Sequence, residues 1–130
     1  MLTLLLISIV SYPDDNCAAQ YGYAFGAPKD PQAVFPNYLS HNNVLSIVGP
    51  YVNSSEVAHA AGKPFIMFET NSASCGGFPG VSDSFGATLW LADYAMSMAA
   101  AGFSEALVHV GGQDVYYNVG CAVSQDLSTS

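Results

Sequence analysis

The sequence predicts an α/β fold built on parallel strands, and three observations carry that reading. Residues 4–10, 65–69 and 106–110 are short apolar runs rich in Leu, Ile, Val and Phe. Helix-forming segments with caps and glycine stops lie between them. Each run gives way to a polar set, as expected where parallel strands end on one functional rim.

The first run, within Met-Leu-Thr-Leu-Leu-Leu-Ile-Ser-Ile-Val, has the length and branching of a buried strand. A signal peptide is the alternative, but no basic n-region precedes it and no A-x-A-type site follows. It is too short to span a bilayer. Residues 11–42, rich in Pro, Asp, Asn, Gly and Tyr, read as a long loop, a feature that compact domains keep mostly for function. Residues 43–48 are expected to form a short helix ended by Gly49-Pro50. Ser54 or Ser55 is expected to cap the next, with Gly62 past its end and Pro64 forbidding continuation.

Phe65-Ile66-Met67-Phe68-Glu69 is an apolar run ending on a carboxylate, and residues 70–82 form a glycine-rich loop. Ser82 or Ser84 then caps a helix to about Ala101, stopped by Gly102. Its apolar positions at helical spacing are Leu89, Ala92, Ala95, Met96 and Ala99, with Asp93 and Ser97 on a polar strip. Ala106-Leu107-Val108-His109-Val110 is the third strand, and the tail from Val119 has no pattern. Three parallel strands with open edges do not complete a sheet.

Composition narrows the function. The net charge is −8, with no arginine and only Lys29 and Lys63 as cations, so nucleic acid and anionic membrane surfaces are poor partners. Charged residues make up 9% of the chain, against roughly 25% in soluble domains, and 51% is hydrophobic. That balance suggests a piece of something larger; the alternative is a secreted protein with a neutral polar surface. Cys17, Cys75 and Cys121 have no CxxC spacing, and His41, His59 and His109 are scattered, so neither a metal site nor a cofactor is expected. Asn53-Ser54-Ser55 is a glycosylation sequon. GxGxxG, P-loop and GxSxG motifs are absent, which leaves nucleotide binding and serine hydrolysis without support.

The strand ends deliver Ser11-Tyr12-Pro13, Glu69-Thr70-Asn71 and His109-Val110-Gly111-Gly112-Gln113. Glu69 is the informative residue. A carboxylate directly after four apolar residues is partly desolvated and needs either hydrogen bonds or a function. A Glu that binds amides of its own loop is the alternative.

Lys63 to Asn71, Ser74-Cys75-Gly76-Gly77-Phe78-Pro79-Gly80 and Ser82 to Ala87 resemble the fungal members of glycoside hydrolase family 79, the β-glucuronidase and heparanase-like enzymes. Tyr12 to Ala18, Phe35 to His41 and His109 to Asn118 are similar to the same family. The resemblance covers roughly residues 8–118. It implies a (β/α)8 TIM barrel followed by a β-sandwich, of which residues 1–118 would supply about strands 6 to 8, leaving 119–130 as a divergent tail. It also implies secretion, a carbohydrate substrate of glucuronide type, and retention of configuration through two glutamates.

By this resemblance Glu69 is the nucleophile and Tyr12 the residue that orients it. The loop bearing Asn71, Ser74, Gly76 and Gly77 would contact the substrate carboxylate, where glycines let backbone N–H groups approach an anion. His109 and Gln113 would line the pocket floor, and Cys17 and Cys75 are a disulfide candidate with Cys121 left unpaired. The acid/base of the family comes from the fourth strand, and no residue here matches it. The chain is therefore expected to be a truncated, inactive part of such an enzyme. A secreted glycan-binding remnant, using aromatics such as Tyr21, Tyr23 and Phe25, is the competing expectation.

Overall fold

A computed structural model describes residues 5–111 and 115–117. Strands β1 (Ile7–Val10), β2 (Phe65–Thr70) and β3 (Glu105–Val108) form one sheet in the order β1-β2-β3, and both pairings are parallel. Helices α1 (Cys17–Tyr21), α2 (Pro31–Tyr38), α3 (His41–Val48) and α4 (Val52–Ala60) lie between β1 and β2 in sequence, and α5 (Phe85–Ala100) joins β2 to β3. All three strand ends therefore share one rim. The tail from 119, Gln113 and Cys121 lie outside the described residues.

Several expectations need correction. Residues 11–42 are largely helical. Asp30 caps α2 by accepting from Gln32 N at 3.0 Å, with Pro31 in the first turn, where its missing N–H costs nothing. Ser40 caps α3, so that helix starts at His41. Helix α3 does end at Val48, where Gly49-Pro50 was expected to stop it, and Gly49–Tyr51 form a 3-10 turn leading into α4. Neither Ser54 nor Ser55 caps α4: the helix begins at Val52, and Ser55 is buried inside it. Of the two candidates for α5, Ser84 is the cap, accepting from Ala87 N at 3.2 Å.

The buried face of α5 also differs from the expected stripe. Ala87, Trp90, Tyr94, Ser97 and Met98 are buried, while Leu89 and Met96 are exposed. The large rings decide the face. Trp90 stacks on Tyr94 at 4.9 Å between centroids, and Tyr38 of α2 meets Trp90 edge-on at 5.6 Å. Phe65, Met67, Val44, Val48, Phe78 and Phe103 complete the core beneath the sheet. Gly86 lets α2 approach: a Cβ there would sit 2.8 Å from the Phe35 ring.

Among the described residues no helix is long and apolar enough to cross a membrane, and no cluster of His, Cys, Asp and Glu could hold a metal.

Candidate active site

Glu69 stands near the end of the central strand, where both ladders are irregular. Ile9 pairs with Met67, but the next residue, Val10, pairs with Glu69; on the other side Met67 faces Ala106 and Thr70 faces Val108. Strand β2 thus carries one extra residue in both pairings, at Phe68–Glu69. A bulge of this kind re-aims side chains at a strand end. Phe68 is turned to the exterior, and Glu69 is turned into a cleft of about 350 Å³ with its side chain 44% exposed.

Two groups from the neighbouring strand ends hold the carboxylate. Tyr12 Oη donates to Glu69 Oε1 at 2.8 Å, and His109 Nδ1 lies 3.4 Å from the same oxygen. Tyr12 Oη is also 2.8 Å from His109 Nδ1. A phenol has one hydrogen. Donated to Glu69, it leaves the phenol oxygen to accept from His109 Nδ1–H, which selects the imidazole form protonated at Nδ1. Burial, followed by the hydrogen bond to Glu69 and its negative charge, pushes the Tyr12 phenol above the usual tyrosine range, so it stays a donor. Tyr117, whose ring lies 5.2 Å from that of His109, is raised by burial and then by the charge of Glu69.

The loop after β2 forms the adjacent wall. Asp15 bridges to Ser74 in parallel fashion, with Ser74 N donating to Asp14 O and Asn16 N to Ser74 O. A Cys17–Cys75 disulfide, Cα atoms 5.0 Å apart, closes the same seam. Asn16 Nδ2 adds a bond to Gly77 O at 2.8 Å. Cys75, Gly76 and Gly77 all have positive φ, so the loop turns left-handed over three consecutive residues.

Of the residues expected to bind substrate, Ser74, Gly76 and His109 line the cleft, together with Tyr12, Glu69 and Cys75. Asn71 and Gly77 do not. Asn71 is fully buried, its amide donating to His109 O at 2.7 Å and Tyr117 O at 2.8 Å while its Oδ1 accepts from Ser72 N. It braces three segments from behind. Gly77 backs onto Ser82, whose Oγ a Cβ would meet at 2.8 Å. Gln20 of α1 is a lining residue that sequence reasoning missed; its signal was the cysteine three residues earlier, which draws α1 to the cleft once Cys75 is bonded. Among the described lining residues Glu69 is the one carboxylate.

No family model matches the chain. Over 96 residues it is 31% identical to a β-glucuronidase of Neurospora crassa, and over 97 residues 30% identical to a β-glucuronidase of Aspergillus niger. The chain is homologous to fungal β-glucuronidases. Each match takes in 72% of the chain but only 17% and 18% of the respective relatives, so the chain spans less than a fifth of their length. Among solved structures, a 4-O-α-L-rhamnosyl-β-D-glucuronidase from Fusarium oxysporum superposes with a TM-score of 0.69 at 28% identity, covering 86% of this chain and 21% of that one. The small parallel sheet and its helices thus resemble part of a glucuronidase.

Proposed function

We propose that this chain is the nucleophile-bearing part of a retaining β-glucuronidase of glycoside hydrolase family 79, with β1, β2 and β3 as strands six, seven and eight of a (β/α)8 barrel. The observation that supports this best is the placement of Glu69: it lies at the end of the central parallel strand, and Tyr12 holds its Oε1. Among the described residues both contacts fall on Oε1, leaving Oε2 to attack.

In this reading Glu69 Oε2 forms a bond to the anomeric carbon as the glycosidic oxygen departs. A second carboxyl group, about 5–5.5 Å away in retaining enzymes, protonates that oxygen and later takes a proton from the water that releases the sugar. The described cleft supplies only the first half of this pair. The backbone of Ser74 to Gly76 faces the substrate carboxylate, with His109 beside it. The Cys17–Cys75 disulfide and the exposed Asn53 sequon support an extracellular location, where disulfides persist.

The single carboxylate also favours a second reading, a glycan-binding remnant without turnover. Labelling with 2-deoxy-2-fluoro-β-D-glucuronyl fluoride separates the two, because fluoride leaves without an acid. Mass addition to the peptide containing Glu69, absent in Glu69→Gln, is the expected result. Saturable binding of methyl β-D-glucuronide with no covalent label would select the remnant.

A further inference from the structure

Among the described residues Cys75 is the one residue other than glycine with positive φ, at 58°. A Cβ crowds the backbone in that region, so the position suits glycine, and Gly76 and Gly77 follow it at 88° and 81°. The hydrogen bonds that fix this loop stand on either side of Cys75. Before it, Ser74 N donates to Asp14 O and Ser74 O accepts from Asn16 N. After it, Gly76 O accepts from Tyr116 N, and Gly77 O accepts from Asn16 Nδ2. Among the described residues the bond that holds Cys75 itself is the disulfide to Cys17.

Cys17 is a fixed point for that bond. It opens α1, and its N–H donates to Asp15 Oδ1 at 3.3 Å. Lys29 in turn grips Asp14 and, at 2.7 Å, Asp15. The sulfur bridge therefore pulls Cys75 against a segment that is already anchored. Successive N–H groups in a turn of this kind make a concavity for anions, and Cys75 and Gly76 both line the cleft. Glu69 is held separately, by Tyr12 and His109 at the strand ends.

We propose that the Cys17–Cys75 disulfide is a positioning device for substrate choice. It keeps Cys75 left-handed, and so keeps the loop N–H groups arranged to select a sugar carboxylate over a neutral hydroxymethyl group. This rests on the reading of the Glu69 cleft as a glucuronide site. Cys75 acts here through the backbone it constrains, so Glu69 should attack a neutral sugar equally well without the bridge.

The test compares two labels of Glu69 on the 130-residue chain, 2-deoxy-2-fluoro-β-D-glucuronyl fluoride and its neutral counterpart 2-deoxy-2-fluoro-β-D-glucosyl fluoride, followed by mass spectrometry. The ratio of their labelling rates measures the preference for the carboxylate. Hydrogen bonds to a charged group predict a ratio of about tenfold or more in the wild type. Cys17→Ser/Cys75→Ala removes the bridge and keeps a Cβ, so the ratio should fall to about one- to twofold while the neutral label reacts as before. Cys17→Ser/Cys75→Gly lacks the same bridge, but glycine takes the positive φ freely and should recover most of the preference. Both variants lose the crosslink, so a difference between them reports the conformation of this one residue. Equal ratios in the two, both high or both low, overturn the positioning role. Collapse of both folds, read by circular dichroism, also overturns it, because the bridge would then hold the whole chain and not one loop. Wild-type labelling by both fluorides at equal rates leaves Glu69 its role and removes the loop's. Labelling by neither overturns the reading of the cleft, and the inference with it.

Discussion

Tyr12 Oη lies 2.8 Å from Glu69 Oε1, and this bond joins the segment after β1 to the end of β2. The same oxygen lies 2.8 Å from His109 Nδ1, just past β3, so one phenol connects all three strand ends. Tyr12→Phe keeps the ring and removes both bonds. Loss of partly exposed hydrogen bonds should cost about 0.5–1.5 kcal/mol each at most. Release of the carboxylate from its orientation should slow fluoro-sugar labelling of Glu69 by about 10–10²-fold. Unchanged labelling in the variant would show that Tyr12 does not orient Glu69.

Asn71→Ala should destabilise the fold without touching the cleft wall. It strips donors from two carbonyls, His109 O and Tyr117 O, and an acceptor from Ser72 N. Buried groups left unsatisfied cost about 1–3 kcal/mol each, so the denaturation midpoint should fall sharply. Asn71→Asp should be worse than an isosteric swap suggests, since a carboxylate would then face two carbonyl oxygens. A midpoint within error of the wild type in both variants would refute the bracing role.

Replacing Cys17 and Cys75 together by serine opens a covalent loop with a sequence separation of 58 residues. The chain-entropy account of such loops gives a loss of roughly 2–5 kcal/mol. Urea titration of the double variant, set beside the reduced wild type, should show the same loss in both. A drop only on reduction would point to some other thiol chemistry.

Stability should fall on the alkaline side for a tyrosine-specific reason. Burial is the leading cause that raises the Tyr12, Tyr38, Tyr94 and Tyr117 phenols above the usual value. A raised folded pKa means that the unfolded chain loses its phenolic protons first. The contribution is therefore intact below about pH 10, the ordinary tyrosine value, and is lost as pH rises through the folded values. Ultraviolet titration should show ionisation of these four phenols delayed beyond the ordinary tyrosine value and coinciding with unfolding. A single phase with all eight tyrosines ionising together in the folded state would contradict this.

Strands and helices differed in how far they could be read from the sequence. The three strands were legible because Phe65 to Phe68 and its counterparts are apolar runs cut off by Pro, Gly or polar sets. Helix α2 and the first two residues of α3 were hidden by composition. Asp30-Pro31-Gln32 and Ser40-His41 are true start signals, but Pro36 and the surrounding Asn and Gly residues masked the helical period. In α5 nearly every position is apolar, so periodicity carried no contrast, and the bulk of Trp90 and Tyr94 set the buried face. At the site, Glu69 and Tyr12 could be placed because strand ends fix their neighbourhood. Asn71 could not, since a loop residue two positions further on can point either to the cleft or to the core, and only its three bonds decide.

The seam between Asn16 and Gly77 has a consequence for how this surface varies. Hydrogen bonds and the disulfide anchor one end of the 17–30 segment, and the Asp30 cap of α2 anchors the other. Between these anchors the turn meets open space: a Cβ added at Gly22 or Gly26 would touch nothing within 4 Å. Gly22 and Gly26 themselves are held to glycine by their positive φ, but substitutions elsewhere between the anchors can alter the rim while Tyr12, Glu69 and His109 keep their spacing. The rim in this architecture is an exchangeable part, and the strand-end geometry beneath it is a fixed one.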